Sequence, residues 1–248
     1  MEKRIGEIFK QLKSEIKNHK GTSREIQVWN LNYFNNHQSR YMSDFEMLMK
    51  YYNSGKILEL GSAPFHFTYL MSEMGLPVTG VDIEPGRFRD FIRKLDSDVI
   101  KCNVETERLP FGDETFHLIL FNEIFEHMRI DPISTLKEIR RVLHPDGFLF
   151  LSTPNLYSFP TYINFLLGKG FDDPYEQFDK IQKFGHMGHV REYSVAQMTK
   201  FLRNTGFQSV EVKLRSYRSL RGLWTPFNIV RKLIPGFRAY QIHICKSS

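Results

Sequence analysis

The chain is poor in cysteine and has no long apolar run. Only Cys102 and Cys245 occur among its 248 residues, and neither lies in a spacing typical of a metal or redox motif. We therefore expect no disulfide framework and a reducing compartment. No apolar run approaches the roughly 20 residues that a membrane-spanning helix needs. The first residues, Met1–Glu7, carry charges where a secretion signal needs an apolar stretch, so we expect a cytoplasmic protein.

Acidic residues are scarce in the basic tail, residues 208–248. This segment holds eight lysines and arginines against one acid, Glu211, so most of the chain's net charge of +6 arises there. A local basic excess favours an anionic partner such as a nucleic acid, a phosphorylated substrate or a membrane surface. The alternative is that these basic residues lie on a solvent-exposed surface that binds no partner. The sequence does not define the oligomeric state.

The rest of the sequence alternates short apolar strands with helix-like segments. Five strand-like runs occur within residues 56–153, and two further runs fall at 210–214 and 240–245. Such alternation is typical of parallel strands joined by right-handed helical crossovers. We predict an α/β fold, a Rossmann-like seven-stranded and mostly parallel sheet with helices on both faces.

Two segments stand outside this alternation. Helical spacing of apolar residues begins at Ile5, and we interpret residues 1–54 as an N-terminal helical extension or lid. Residues 154–193 are rich in aromatic residues, glycine and proline, and they are longer than ordinary connections. We predict that they form a substrate cap inserted after strand five of a domain spanning residues 55–248. The alternative is that residues 154–193 form a surface element with no role in substrate binding.

The basic tail also contains large apolar residues, among them Trp224, Phe227 and Leu233. Basic residues mixed with Trp and Phe are typical of a segment that lies on a membrane surface. A buried element between the last two strands explains the same residues, and Pro226 and Pro235 oppose one continuous helix. We predict burial and keep peripheral membrane contact as the alternative.

Three strand ends carry residues suited to a nucleotide-like ligand. Strand one ends at Gly61-Ser62-Ala63, whose small side chains let the backbone approach a ligand closely. Strand two ends at Asp82, a carboxylate suited to a ribose diol, and strand three ends at Asn103, whose amide suits an adenine edge. Each residue alone is also a common turn residue. Because ligands of open parallel sheets bind at the carboxyl ends of strands, the three together predict a cofactor site.

A second group of polar residues follows strand four. If a helix begins at Asn122, then Glu123, Glu126 and His127 share one helix face. Two carboxylates and an imidazole fit a divalent metal, and His189 in the insertion is the candidate fourth ligand. Acidic residues in a first helical turn are also favoured by the helix dipole, so a structural role is the alternative.

Residues 56–153 resemble the class I S-adenosylmethionine-dependent methyltransferase family. The resemblance rests on ILELGSAP, VTGVDIEP, ERLPFGDETFHLILFNEIFEHM and LKEIRRVLHPDGFLFLSTPN. The last two blocks resemble a branch with many small-molecule methyltransferases. The chain departs from the family's E/D-x-G-x-G-x-G, because Ala63 and Phe65 occupy the second and third glycine positions. We expect Phe65 to narrow the loop.

The resemblance assigns roles to the strand ends. Gly61 and Ala63 would flank the methionine part of S-adenosylmethionine, Asp82 would hold the ribose, and Asn103 with Val104 would frame the adenine. The flanking residues that complete the predicted cofactor-binding set are Arg40, Glu59, Ile83 and Asn122.

The motif E-x-x-E-H at residues 123–127 resembles two metal-assisted enzymes, the ubiquinone-pathway O-methyltransferase and the small-RNA 3′-terminal 2′-O-methyltransferase. His189 with Glu192-Tyr193 resembles a later motif of the RNA enzyme. The segments STPN and GH-REY resemble enzymes of surface-polysaccharide biosynthesis. The resemblance implies Mg²⁺ or Mn²⁺ as a second cofactor. It also implies that Glu123, Glu126, His127 and His189 are the catalytic and metal-binding candidates.

The acceptor chemistry favours O-methylation. A sugar hydroxyl does not ionise unaided at neutral pH, so a metal or a His or Glu base is needed, whereas an amine needs far less help. We predict methylation of a sugar, a glycan or another hydroxylated small molecule. RNA 2′-O-methylation and a non-catalytic cofactor-binding scaffold are the alternatives.

Overall fold

The structure is a computed structural model that describes residues 1–18, 24–184, 188–217, 219 and 221–248. The α-helices are α1 (Glu2–Asn18), α2 (Arg24–Leu48), α3 (His66–Glu73), α4 (Arg89–Ile92), α5 (Pro132–Val142), α6 (Phe159–Leu166), α7 (Pro174–Phe184), α8 (Val195–Asn204) and α9 (Phe227–Leu233). The strands are β1 (Ile57–Leu60), β2 (Val78–Asp82), β3 (Val99–Lys101), β4 (Phe116–Asn122), β5 (Leu143–Pro154), β6 (Phe207–Arg215) and β7 (Tyr240–Ser247).

The seven strands form one mostly parallel sheet in the order β3-β2-β1-β4-β5-β7-β6. Strand β1 pairs in parallel with β2, and β2 pairs in parallel with β3. Strand β7 is antiparallel to both β5 and β6. The chain order reverses direction across the sheet between β1 and β4, which is the position where such sheets bind ligands. The predicted Rossmann-like α/β fold is confirmed.

Two compact units can be described separately. The first comprises residues 1–120 and 141–148, and the second comprises 121–140 and 149–248. In the first unit, helix α1 buries every apolar residue of its predicted stripe, from Ile5 to Ile16. Each such burial contributes about 1.5–3 kcal/mol, which explains why this amphipathic segment is a stable helix.

The second unit contains the predicted insertion and the basic tail. The insertion includes α6 and α7, and Tyr193 at its end forms a bridge with Asn155. Helix α8 begins with a capping box between Ser194 and Gln197, which satisfies amide groups at its N-terminus. The prediction that the apolar residues of the tail are buried is wrong for α9, because Leu233 is 76% exposed.

Candidate active site

Strands β1 and β2 end side by side in the first unit. Gly61 has φ +67°, a conformation that glycine adopts without strain. The next residue, Ser62, donates its amide to Val81 O at 3.0 Å. A Cβ atom on Gly80 would lie 2.9 Å from Ser62 Oγ, so a larger residue at position 80 would displace the Ser62 side chain. The small residues at the strand ends therefore pack closely together, and their predicted approach to a ligand stays a prediction.

The carboxylate of Asp82 is oriented by two backbone amides. Asp82 Oδ2 accepts from Ala63 N at 3.0 Å, and Oδ1 accepts from Glu84 N at 2.9 Å. Two of the predicted cofactor residues, which are 19 positions apart in sequence, thus meet directly. A carboxylate held in this way suits the two hydroxyl groups of a ribose.

Glu59 and Arg40 are both buried in the first unit. The Glu59 carboxyl accepts a hydrogen bond from Thr68 Oγ1 at 2.5 Å, and Arg40 Nη2 donates to the Tyr33 hydroxyl at 3.2 Å. Burial raises the pKa of Glu59 to about 8, against the opposing effects of Thr68 and Arg40. A buried carboxyl group of this kind gains from a cationic ligand, and the ammonium group of S-adenosylmethionine is such a cation.

Replacing Glu59 with glutamine is expected to raise the free energy of unfolding of the cofactor-free protein at pH 7. The folded protein keeps the Glu59 proton up to a pKa of about 8, whereas the unfolded chain releases it near 4.5. The wild type therefore loses stability as pH rises from about 4.5 to about 8, and the neutral glutamine removes this loss, which is about 3 kcal/mol at pH 7. Urea titrations at pH 5, 7 and 9 measure the difference.

The exposed Glu73→Gln variant is the matched control, because it makes the same chemical change on the surface of α3. Its stability should follow the wild type at every pH. A Glu59→Gln protein that is less stable than wild type at pH 9 would contradict the assignment of a protonated, buried carboxyl group.

Phe65 does not line the loop as the sequence suggested. It has φ +66°, its side chain is fully buried, and its ring packs edge-on against Phe88 with centroids 6.0 Å apart. The expectation that Phe65 narrows the loop is therefore wrong. The positive φ is strained for a phenylalanine, whereas a glycine, which the resemblance implies here, would adopt it freely.

Four other residues were predicted to bind the cofactor, and the contacts that the structure shows for them are contacts within the protein. Asn103 Oδ1 accepts from Glu105 N at 3.1 Å, which is the turn geometry of the alternative interpretation. Ile83 and Val104 are half-buried beside the strand ends. Asn122, in the second unit, has a buried side-chain oxygen without a hydrogen-bond partner among the described residues. The roles of these residues in cofactor binding stay predictions.

No α-helix begins at Asn122. Glu123 has φ +56°, and Phe125–His127 forms a single 3₁₀ turn. The predicted shared helix face is therefore wrong. The Glu123 carboxylate instead accepts a hydrogen bond from Ser152 Oγ at 2.8 Å.

The second unit nevertheless brings three of the four predicted metal ligands together. One ligand atom from each of Glu126, His127 and His189 lies within 4.8 Å of the others. Glu123 does not belong to this group, which we name the Glu-His cluster. Residues 185–187, which precede His189 in the predicted ligand segment, lie outside the described residues.

Backbone and hydroxyl groups orient the Glu-His cluster. His127 Nδ1 lies 3.0 Å from Gly188 O, and because a carbonyl oxygen only accepts, Nδ1 carries the proton and Nε2 is the basic nitrogen. The buried carboxyl of Glu126 accepts from Thr153 Oγ1 at 3.0 Å. Thr153 was not among the predicted site residues, because no local pattern joins it to Glu126.

Carboxylates surround His189. Its Nδ1 lies 3.8 Å from Glu192 Oε1 and 3.9 Å from Asp172 Oδ2. Burial acts to lower the pKa of His189, but Glu192, Glu126 and Asp172 together raise it. For the Glu126 carboxyl, burial acts in the other direction and raises the pKa to about 7, although the neighbouring His189 acts to lower it. Two groups with shifted pKa values, Glu126 and His189, thus lie at one place, which is typical of functional sites.

The fold and the strand-end residues define a protein of the methyltransferase class, and comparison with known proteins agrees. Residues 33–212 match the family described as Methyltransferase domain, so the chain belongs to this family. A probable S-adenosylmethionine-dependent methyltransferase of Mycolicibacterium smegmatis is 25% identical over 61% of this chain and 51% of its own length. A ubiquinone biosynthesis O-methyltransferase of Haemophilus ducreyi is 31% identical over 40% of this chain and 45% of its own length.

The matches thus cover about half the length of these curated relatives. Among solved structures, a SAM-dependent methyltransferase from Archaeoglobus fulgidus has a TM-score of 0.59 and 16% identity, covering 87% of this chain and 99% of that one. This likeness supports the fold. The family implies S-adenosylmethionine as the cofactor.

Proposed function

We propose that this chain transfers the methyl group of S-adenosylmethionine to a hydroxyl oxygen of a sugar, a glycan or another hydroxylated small molecule. The observation that carries the proposal is the Glu-His cluster, in which a carboxylate and two imidazoles converge within 4.8 Å. An amine acceptor has no need of such a group, because its nitrogen is already nucleophilic when neutral.

A hydroxyl acceptor needs a group that takes its proton, and we propose that the Glu-His cluster provides one. In the transfer, an oxygen–methyl bond forms as the sulfur–methyl bond breaks, and the hydroxyl proton must leave. Where no metal is bound, His127 Nε2 is the basic nitrogen that we propose receives it, since Nδ1 donates to Gly188 O. General-base assistance of this kind contributes typically about 10²–10⁴-fold to a rate.

The same residues fit a divalent metal such as Mg²⁺ or Mn²⁺. His189 Nδ1 and Glu192 Oε2 are buried, and neither has a hydrogen-bond partner among the described residues. Glu126, His127 Nε2 and His189 would hold the ion, and Glu192 would orient His189. A bound ion would lower the pKa of the acceptor hydroxyl and hold a vicinal diol.

Two further observations support this acceptor class. The Haemophilus ducreyi relative is named for O-methylation, and we extend that chemistry to this chain as part of the proposal. We also propose that the insertion, residues 154–193, serves as the acceptor cap. Its exposed Tyr175 and Phe178 on α7 offer rings of the kind that stack on cyclic acceptors.

The test is a methyl-transfer assay on the full chain with radiolabelled S-adenosylmethionine and three acceptor panels. The panels are mono- and oligosaccharides with catechols, primary amines, and short RNAs. We expect labelling in the first panel, greater with Mn²⁺ than with a chelator and lost in Glu126→Gln. Labelling of amines alone would overturn the proposal. Labelling of RNA alone would favour the 2′-O-methyltransferase alternative, and bound cofactor without any transfer would favour the scaffold alternative.

A further inference from the structure

Helices α6 and α9 pack against each other in the second unit through aromatic rings. The Phe159 ring stacks on Phe227 with centroids 4.8 Å apart and meets Phe237 at 5.9 Å. Tyr162 also contacts Phe237, at 5.3 Å. The insertion and the basic tail, which are distant in sequence, therefore contact each other.

Each of the two helices carries large aliphatic side chains that are exposed. Leu166 and Leu167 at the end of α6 are 67% and 65% exposed, and Ile229 and Leu233 on α9 are 63% and 76% exposed. Ile229 and Leu233 are four residues apart and so share one helix face. A group of large exposed aliphatic side chains is uncommon on a monomeric protein and marks an interaction surface.

Lysines flank these aliphatic side chains. Lys169 follows Leu167, and Lys232 lies beside Leu233, and both are exposed. We name Leu166, Leu167, Lys169, Ile229, Lys232 and Leu233 the docking face. The two segments that form it, residues 154–170 and 212–248, contain no Asp or Glu.

The lysines of the docking face and the absence of acids in its two segments indicate which kind of partner it binds. Two copies of the docking face would bring lysines against lysines, so self-association through it is disfavoured. Single-stranded nucleic acids stack their bases on aromatic rings, but the aromatic residues of these segments are less exposed, with Trp224 at 47% and Phe165 at 39%, than the aliphatic side chains of the docking face. Aliphatic side chains flanked by lysines fit the boundary between acyl chains and anionic headgroups.

We propose that the docking face binds the surface of a membrane that contains anionic lipids. The leucines and isoleucine enter the headgroup boundary, and Lys169 and Lys232 contact lipid phosphates. The contact is peripheral, since no helix in the described ranges is long and apolar enough to cross a membrane. The proposal is independent of the acceptor proposed above.

Co-sedimentation of the full chain with vesicles tests the proposal. We expect binding to phosphatidylcholine vesicles that contain 30% phosphatidylglycerol (about one lipid in three, a typical anionic fraction) and at least tenfold weaker binding to pure phosphatidylcholine. Leu166→Glu/Leu233→Glu should lower the affinity for anionic vesicles at least tenfold. Removing each lysine charge, in Lys169→Gln and Lys232→Gln, should lower it about fivefold.

The matched control is Val28→Glu/Val210→Glu, which makes the same change at two exposed apolar positions outside the docking face. It should bind anionic vesicles within twofold of wild type. Equal loss in this control would overturn the proposal, because it would show that added negative charge alone prevents binding. Thermal melts that match wild type confirm that all variants fold.

Tryptophan fluorescence reports the contact directly. The chain has two tryptophans, and Trp29→Phe leaves Trp224, which is 47% exposed and close to the docking face through Phe159. Its emission should shift to the blue with anionic vesicles. Unchanged emission and no co-sedimentation would overturn the proposal. So would a dimer that Leu166→Glu/Leu233→Glu dissociates, or RNA binding that this variant abolishes.

Discussion

Replacing Asp82 with alanine is expected to weaken the binding of S-adenosylhomocysteine at least a hundredfold. The amides of Ala63 and Glu84 hold the two carboxylate oxygens in place, so the carboxylate is oriented before a ligand arrives. Hydrogen bonds from the ribose hydroxyls to a charged group are worth about 1.5–3 kcal/mol each. The loss of two of them accounts for a hundredfold or more. Alanine also leaves two backbone amides without their acceptor.

Calorimetric titration of purified protein with S-adenosylhomocysteine measures this effect. Asp96→Ala is the matched control, because Asp96 is an exposed acid in the same unit and the hydrogen bond from Ser72 is accepted by its backbone carbonyl, which alanine keeps. Its affinity should stay within twofold of wild type. An Asp82→Ala protein that binds within fivefold of wild type would remove Asp82 from the cofactor site.

Replacing His127 with alanine is expected to lower kcat for a hydroxyl acceptor at least a hundredfold. This variant removes the nitrogen that we propose accepts the hydroxyl proton or binds the metal. The affinity for S-adenosylhomocysteine should change less than twofold, because the predicted ligands of the ribose and adenine lie in other segments of the chain. The measurement is the initial rate with an acceptor found in the three-panel assay.

His144→Ala is the control for the loss of an imidazole. The His144 ring stacks on His117 with centroids 4.3 Å apart in the first unit, and the Glu-His cluster belongs to the second. Its kcat should stay close to wild type. If His127→Ala lowers the affinity for S-adenosylhomocysteine as much as it lowers kcat, His127 supports the fold of the site and is not a catalytic group.

The sequence alone was sufficient to predict those helices and strands whose buried residues recur at one regular spacing. Helix α1 buries the predicted stripe, and the strands lie within a few residues of their predicted positions. Helix α2 spans Arg24–Leu48 inside the predicted helical extension, residues 1–54. Its buried residues include Asn30, Arg40 and Asp44, so no apolar period reveals its full length.

The residues of the candidate site could be predicted from the sequence where the ends of the strands determine their positions. The meeting of Ala63 with Asp82 follows from two adjacent parallel strands, which an alternating pattern reveals. The conformation of Glu123 was not predictable, because a positive φ at a glutamate depends on tertiary contacts such as the hydrogen bond from Ser152. The contact of Thr153 with Glu126 joins residues 27 positions apart, and no local pattern encodes it.

The insertion meets the Glu-His cluster largely through its backbone. Gly188 offers a carbonyl oxygen to His127, and the amides of Val190 and Arg191 donate to Glu126 O. Every amino acid has a carbonyl group, and all but proline have an amide. Evolution can therefore exchange those side chains of the loop that do not contact the cluster, and with them the acceptor it admits, while the histidine keeps its tautomer. The constrained positions are Gly188, where a Cβ atom would lie 2.5 Å from Gln177 O, and His189 with its neighbours Asp172 and Glu192.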